Sequence, residues 1–243
     1  MEKTEKKSNS KRNISKLNEN FRESILDYAI SHNLKCAHAL IVLYCTGCRP
    51  DEIERGVRVN FDKAKNEVSF KIIGSKLNRA QKRGIGIREI KINITDKNIK
   101  YLNPILDIFK NNPDAYDLKI NTESKKAFSG YISKISKRLW PKKKYHASAY
   151  SFRHAKATEL KNSDYTKIEI AQILGHASCR SQNSYGRKKK SSKGGFDDIA
   201  DVETSTKPRG GSGTEDRLLR FKIQSKNNKS VKPAAGPSRG PKL

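Results

Sequence analysis

Apolar side chains in the middle of this chain recur at helical steps, give way to short alternating runs, and then return to helical steps. Leu34, Ala37, Ile41, Tyr44 and Cys48 repeat at three- and four-residue intervals, and Leu40 and Leu43 widen the stripe. That pattern predicts a helix buried on most sides. Gly47 is where it should stop, because glycine enters the left-handed conformation that ends helices without strain. Val57 to Phe61, Val68 to Ile73 and Ile85 to Ile92 are shorter, β-branched and partly alternating, with Lys, Asn and Gly between them. They predict a small antiparallel sheet. Asn103-Pro104 predicts a helix start, with an N-cap followed by proline at the first position. Phe128, Tyr131, Ile132, Ile135 and Leu139 mark another amphipathic helix. Thr166-Lys167-Ile168-Glu169 has the form of a capping box, and the helix it opens ends at Gly175, leaving His176 just beyond the terminus. The expected fold is mostly α with a small antiparallel β-sheet (α+β), and no internal repeat is evident.

The two ends differ from this middle. Residues 1–19 are Lys, Ser, Asn and Glu with almost nothing to bury, and from Gly186 onward the chain is again rich in Lys, Ser, Gly and Pro. Such composition predicts basic disordered tails over 1–19 and 188–243 around one folded domain at 20–187. Within the second tail, the alternating run Arg217 to Gln224 is expected to add a strand to this sheet or to a neighbour's.

Charge narrows the partner. The chain carries a formal charge of +27 over 243 residues, far beyond what solubility needs, so a polyanion is expected and double-stranded DNA fits best. No apolar run approaches the roughly 18 residues of a spanning helix, and the N-terminus lacks the apolar core of a signal peptide, so a soluble, DNA-associated protein of the cytoplasm is expected, with no membrane partner. Cys36, Cys45, Cys48 and Cys179 read as reduced thiols. Cys45 and Cys48 could open a zinc site, but no second pair at ligand spacing follows them, so no metal is expected.

Candidate chemistry concentrates between Tyr150 and Tyr185. The segment opens Tyr150-Ser151-Phe152-Arg153-His154, passes Ile173-Leu174-Gly175-His176 and reaches Tyr185, nine positions after that histidine. A tyrosine attacking a DNA phosphodiester needs cations on the non-bridging oxygens, an acceptor for the phenol proton and a donor for the leaving 5′ oxygen. Arginine suits the clamp, since its planar fork bonds two phosphate oxygens at once and keeps its charge. Arg153 stands near a helix start, where backbone N–H groups also favour an anion. Arg49, directly after the buried helix, is the best second arginine, and Glu52 can orient it. Read singly, Gly175-His176 is also an ordinary helix C-cap, and Tyr185 beside Arg187, Lys188, Lys189 and Lys190 is also a packing residue or an aromatic contact to DNA. That basic run is expected to touch phosphates without reading sequence.

Taken together, these segments resemble the catalytic domain of the tyrosine recombinase (phage integrase) family. Thr46-Gly47-x-Arg49-x-x-Glu52 is similar to the family's first arginine box, Ser151-Phe152-Arg153-His154 to the second, and Leu174-Gly175-His176 to the Leu-Gly-His that follows. Tyr185 falls at the nucleophile. The resemblance covers roughly residues 20–187 and implies that Arg49 and Arg153 clamp the scissile phosphate and His176 bonds one of its oxygens. Tyr185 would attack to leave a 3′-phosphotyrosyl intermediate. It also implies a lysine on a β-hairpin as general acid, and Lys76 in Ile73-Gly74-Ser75-Lys76 fits, among the neighbouring charges Lys71, Lys82 and Arg83. Strand exchange then needs neither ATP nor a cofactor.

Two departures from the family qualify this picture. Tyr150 stands where the second box has histidine, and a phenol of ordinary pKa about 10 accepts protons less readily than an imidazole of about 6.5. His154 is adjacent but on a helix projects to a different side. The family's N-terminal core-binding domain is also not expected, since about 20 residues before the first helix cannot form one. The reading is therefore a site-specific recombinase or integrase that self-associates on DNA, up to a tetramer, and relies on an accessory DNA-binding protein. Its rivals are a topoisomerase-like relaxing enzyme and a poorly catalytic DNA-binding regulator on the same scaffold.

Overall fold

The computed structural model describes residues 13–75, 77, 84–112, 114–185 and 198–210. The predicted buried helix is α2 (Ala37–Thr46), preceded by α1 (Phe21–Ser31) and followed by the short α3 (Pro50–Arg55). Phe21, Ile25, Leu26 and Ala29 put one apolar stripe of α1 against the core, and every residue of α2 except His38 is buried. Gly47 takes φ 60°, and its N–H returns to the Leu43 carbonyl at 2.9 Å, closing α2 where the sequence predicts. Pro50 occupies the first position of α3, where a missing N–H costs nothing.

The sheet follows. β1 (Val57–Asp62), β2 (Glu67–Ile73) and β3 (Ile87–Asn93) form an antiparallel meander, with Val59 opposite Phe70 and Phe70 opposite Ile90. Val57, Val59, Val68, Phe70, Ile72, Ile90 and Ile92 fill the covered face. β4 (Leu118–Ile120) extends the β1 edge, and β5 (Ile199–Thr204) extends the β3 edge. Among the described residues the order is β4-β1-β2-β3-β5, with antiparallel neighbours throughout.

β5 departs from the expectation that everything after residue 187 is a disordered tail. Ile199 is buried on the core and Val202 packs against it, opposite Ile92 and Ile90 of β3. Two apolar residues in a polar stretch suffice because β3 offers them an unpaired edge. Residues 14–17 likewise leave the expected N-terminal tail: a 3₁₀ turn spans Ile14–Lys16, and Leu17 packs on the core. The run Arg217 to Gln224 lies outside the described residues.

α4 (Ile99–Asn111) begins earlier than Asn103-Pro104 predicts. Tyr101, Leu102, Ile105, Leu106 and Phe109 make one continuous buried stripe, so packing carries the helix back past the proline. Asn98 fixes the start: it is fully buried, accepts from the Thr95 N–H at 2.9 Å and donates to the Asn93 carbonyl at 2.7 Å. Pro104 then sits inside the helix, leaving the carbonyl of exposed Lys100 without its helical donor. α5 (Lys125–Leu139), α6 (Ala149–Asn162) and α7 (Lys167–Ile173) complete the helices, the last opened by the predicted capping box between Thr166 and Glu169. A second 3₁₀ helix, Cys179–Ser184, delivers Tyr185. No helix among the described residues is long and apolar enough to cross a membrane.

Candidate active site

The left-handed turn at Gly47 redirects the chain so that Arg49 becomes the N-cap residue of α3. Glu52, three residues on, accepts from the Arg49 backbone N–H at 2.8 Å and from Arg49 Nη1 at 2.9 Å. The same carboxylate takes Arg88 Nη2 at 2.7 Å and Nη1 at 3.3 Å. Burial alone would raise the Glu52 carboxyl, but Arg88, Arg49 and Arg153 overcome it and hold it well below the usual range. Arg88, on β3, also donates from Nε to the Ile173 carbonyl at 2.9 Å. Gly175 (φ 65°) lies so close that a Cβ there would stand 2.7 Å from Arg88 Nη1.

Arg88 is a site residue that motif reading misses, since it looks like one more hairpin cation. The signal was nevertheless present. In β3 it is in phase with Ile90 and Ile92, so period-two alternation puts it on the buried face, and its side chain has no exposure.

The second arginine comes from α6, where Ser148 caps the helix and receives Ser151 in return. Arg153 is buried and donates from Nη1 to the Gly47 carbonyl (2.7 Å) and from Nη2 to the Leu174 carbonyl (2.7 Å). Its Nη2 is 3.1 Å from His176 Nε2, and its Nε donates to Tyr185 Oη at 2.9 Å. Tyr185 Oη lies 3.3 Å from the same His176 Nε2, with the two rings stacked at 5.4 Å.

This geometry dictates the proton arrangement. Arginine can only donate, so His176 Nε2 acts as acceptor and the ring proton sits on Nδ1. The phenol accepts from Arg153 Nε, and its oxygen lies within reach of the same Nε2. Burial, then Arg153, Arg49 and Arg88, push the His176 imidazole down to about 2, so it is neutral across the physiological range. Burial and then Arg49 also lower the Arg153 guanidinium, with Tyr185 and Glu52 opposing. Arg49, Arg88 and Arg153 thus converge on the single carboxylate Glu52. That excess of positive charge beside a phenol hydroxyl is suited to an anion with several oxygens.

Of the other predicted positions, Tyr150 stands half-exposed one turn before Arg153. Burial and then Asp51 raise its phenol, against the pull of Arg153, Arg49 and Lys125, so it is a donor and not a base at neutral pH. Asp51 itself is paired with Lys125 at 2.7 Å. His154 packs its ring 5.0 Å from that of Tyr185, buttressing the phenol. Lys76 lies outside the described residues, as do Arg187, Lys188, Lys189 and Lys190. The hairpin base next to Lys76 is held by Arg55, whose Nη1 donates to the Gly74 carbonyl at 2.9 Å. Cys45 and Cys48 are buried free thiols, pushed by burial up to about 12 and about 11, values that keep them protonated and unreactive.

The mixed α+β domain thus brings two arginines, a histidine and a tyrosine to one point. The chain belongs to the phage integrase family, whose profile matches residues 12–192. Among solved structures it is similar to XerA recombinase, with 18% identity and a TM-score of 0.50 over 72% of this chain and 60% of that one. It is also similar to XerH site-specific recombinase bound to its difH substrate, at 17% identity and TM-score 0.49 over 72% of this chain and 51% of that one. A third similar structure is the Tn1549 transposon integrase with a circular intermediate DNA, at 16% identity and TM-score 0.46 over 78% and 64% of the two chains. The chain therefore spans about 60% of the XerA length. A search of curated proteins returns no match.

Proposed function

We propose that this chain is a site-specific DNA recombinase or integrase that cuts and rejoins strands through a phosphotyrosyl intermediate at Tyr185. One observation carries the reading: Tyr185 Oη is hydrogen-bonded to Arg153 Nε and within reach of His176 Nε2, beside a cluster of arginines in excess of its one carboxylate. A DNA phosphate entering there would meet Arg49 and Arg153 and be held in line with the phenol. The Tyr185 oxygen bonds to phosphorus as the bond from phosphorus to the 5′ oxygen breaks. The phenol proton leaves toward His176 Nε2, whose basicity rises once the phosphate offsets the arginines. The departing 5′ oxygen takes a proton from Lys76, the role that the family resemblance implies for it. Tyr150 donates a hydrogen bond to a phosphate oxygen in place of the family's histidine. Reversal with a different 5′-hydroxyl completes the exchange with the phosphodiester free energy conserved. Arg187 to Lys190 would add phosphate contacts, and partners on DNA would include further copies of the chain and an accessory DNA-binding protein.

A pool of nicked duplexes of randomised sequence tests this. When attack releases a short fragment the protein stays joined to DNA, and a denaturing gel should show the adduct with the wild-type chain and none with Tyr185→Phe. Tight duplex binding without any adduct would leave a DNA-binding protein on a recombinase scaffold.

A further inference from the structure

Tyr185 is held at both of its ends by one helix. On α6, Arg153 takes the phenol oxygen at 2.9 Å, and eight residues later Lys161 Nζ takes the main-chain carbonyl of the same tyrosine at 3.1 Å. Lys161 also donates to the Gln182 carbonyl at 2.8 Å. Eight helical residues rise about 12 Å, so α6 offers two donors at a fixed spacing, one for the side chain and one for the backbone. The carbonyls involved are those of Gln182, at the end of the 3₁₀ helix Cys179–Ser184, and Tyr185, its C-cap. The Tyr185 N–H also donates to Gln182 O at 2.9 Å. A cation at that end also complements the negative pole of the helix dipole.

Other contacts hold the front of the segment. The Gln182 side chain, almost fully buried, donates to the Lys167 carbonyl, and Cys179 and Ala177 exchange backbone hydrogen bonds with Arg209 at 3.2 and 2.9 Å. None of these reaches Tyr185 itself. Its main-chain carbonyl is met by Lys161.

We infer that Lys161 is a positioning residue for the nucleophile: its amine fixes the Tyr185 backbone on the same helix that orients the phenol, and so aims Tyr185 into its own protomer's arginine cluster. This rests on the proposed role of Tyr185. Burial lowers the Lys161 amine without removing its donors, which agrees with a group enclosed against carbonyls. Sequence reading passed over Lys161 because a lysine in the last turn of a helix is ordinarily a solvated charge complementing the dipole.

Two measurements on the full chain test it. In the free protein, amide hydrogen exchange over 179–185 should run about tenfold faster or more in Lys161→Met, the loss expected for charge-assisted hydrogen bonds, and stay near wild type in Lys161→Arg. On nicked duplex, single-turnover adduct formation should fall roughly 10²-fold in Lys161→Met with duplex affinity unchanged, and recover in Lys161→Arg. Unchanged exchange in Lys161→Met overturns the inference, as does a rate loss that follows duplex affinity or that Lys161→Arg fails to restore. If Lys161→Met does not fold, Lys161→Gln carries the same comparison. A wild-type chain that binds duplex without forming an adduct sinks the recombinase reading alone, and the exchange measurement still decides whether Lys161 holds the segment.

Discussion

Two buried glutamates, Glu52 and Glu159, are each gripped by two cations, and the surroundings of each give it a different task. Glu159 on α6 takes Lys156 Nζ at 2.7 Å and Arg22 Nη1 at 2.7 Å, and Arg22 also faces Glu23, which accepts from Tyr44 Oη at 3.1 Å. Two cations there meet two carboxylates, so the charges balance and the cluster fastens α1, α2 and α6. Around Glu52 the arginines 49, 88 and 153 meet one carboxylate. The same buried ion pairing, left short of two negative charges, becomes a seat for an anion. Gly47 stands between the two: its carbonyl accepts from Arg153, and its Cα faces the stem of Lys156.

Removing either carboxylate should have the largest effect. Glu52→Ala and Glu159→Ala each strand buried cations and should lower unfolding free energy by about 3–5 kcal/mol, read by urea denaturation. Glu52→Ala should lose more, because among the described residues Glu52 is the one carboxylate paired with these arginines, and phosphate in the buffer should recover part of that loss. Equal losses with no phosphate effect would mean that the charge excess does not matter.

Acid should separate the two next. Both carboxyls lie below their ordinary value of 4.5, Glu159 at about 2 where Lys156 and Arg22 outweigh burial, and Glu52 further down. A depressed folded pKa contributes stability that is fully present above the unfolded value and is lost as pH falls through the folded one. Unfolding midpoints should therefore drop from pH 4.5 toward 2. Glu159→Gln should flatten that slope in its own share while leaving the part due to Glu52.

Gly47→Ala probes the joint between the clusters. A Cβ at φ 60° is strained and would lie 2.8 Å from Lys156 Cγ. The expected cost is about 1–3 kcal/mol, with adduct formation reduced as well because Arg153 leans on the same residue. The smallest effect belongs to the surface: Lys91, paired with Asp201 at 3.3 Å and with Glu203 across β3 and β5, should change stability by about 0.5 kcal/mol or less on substitution by alanine.

These clusters also show where sequence reading works and where it stops. The stripe of α2, the glycine that ends it, the β1-β2-β3 meander and the capping box before α7 are local patterns, and each lies close to where its pattern predicts it. Arg49, Arg153, His176 and Tyr185 were legible as spaced boxes. What failed depended on distant partners. β5 has too few apolar residues to announce itself and exists because β3 has a free edge. α4 overrides a proline because Asn98 finds partners at Asn93 and Asp198. Arg88 and Lys161 look like solvated cations until the carboxylate and carbonyls they meet are brought to them by the fold.

The place of β5 in chain order also sets a timetable for synthesis. Arg49, Glu52 and Arg88 leave the ribosome first, Arg153 and His176 follow, and the Arg209 backbone that bonds to Ala177 and Cys179, before Tyr185, comes last. At roughly 5–20 residues per second, the 33 residues from His176 to Arg209 take on the order of 2–7 s. Until Arg209 has been made, the segment that carries Tyr185 lacks the backbone contacts that Ala177 and Cys179 make with it.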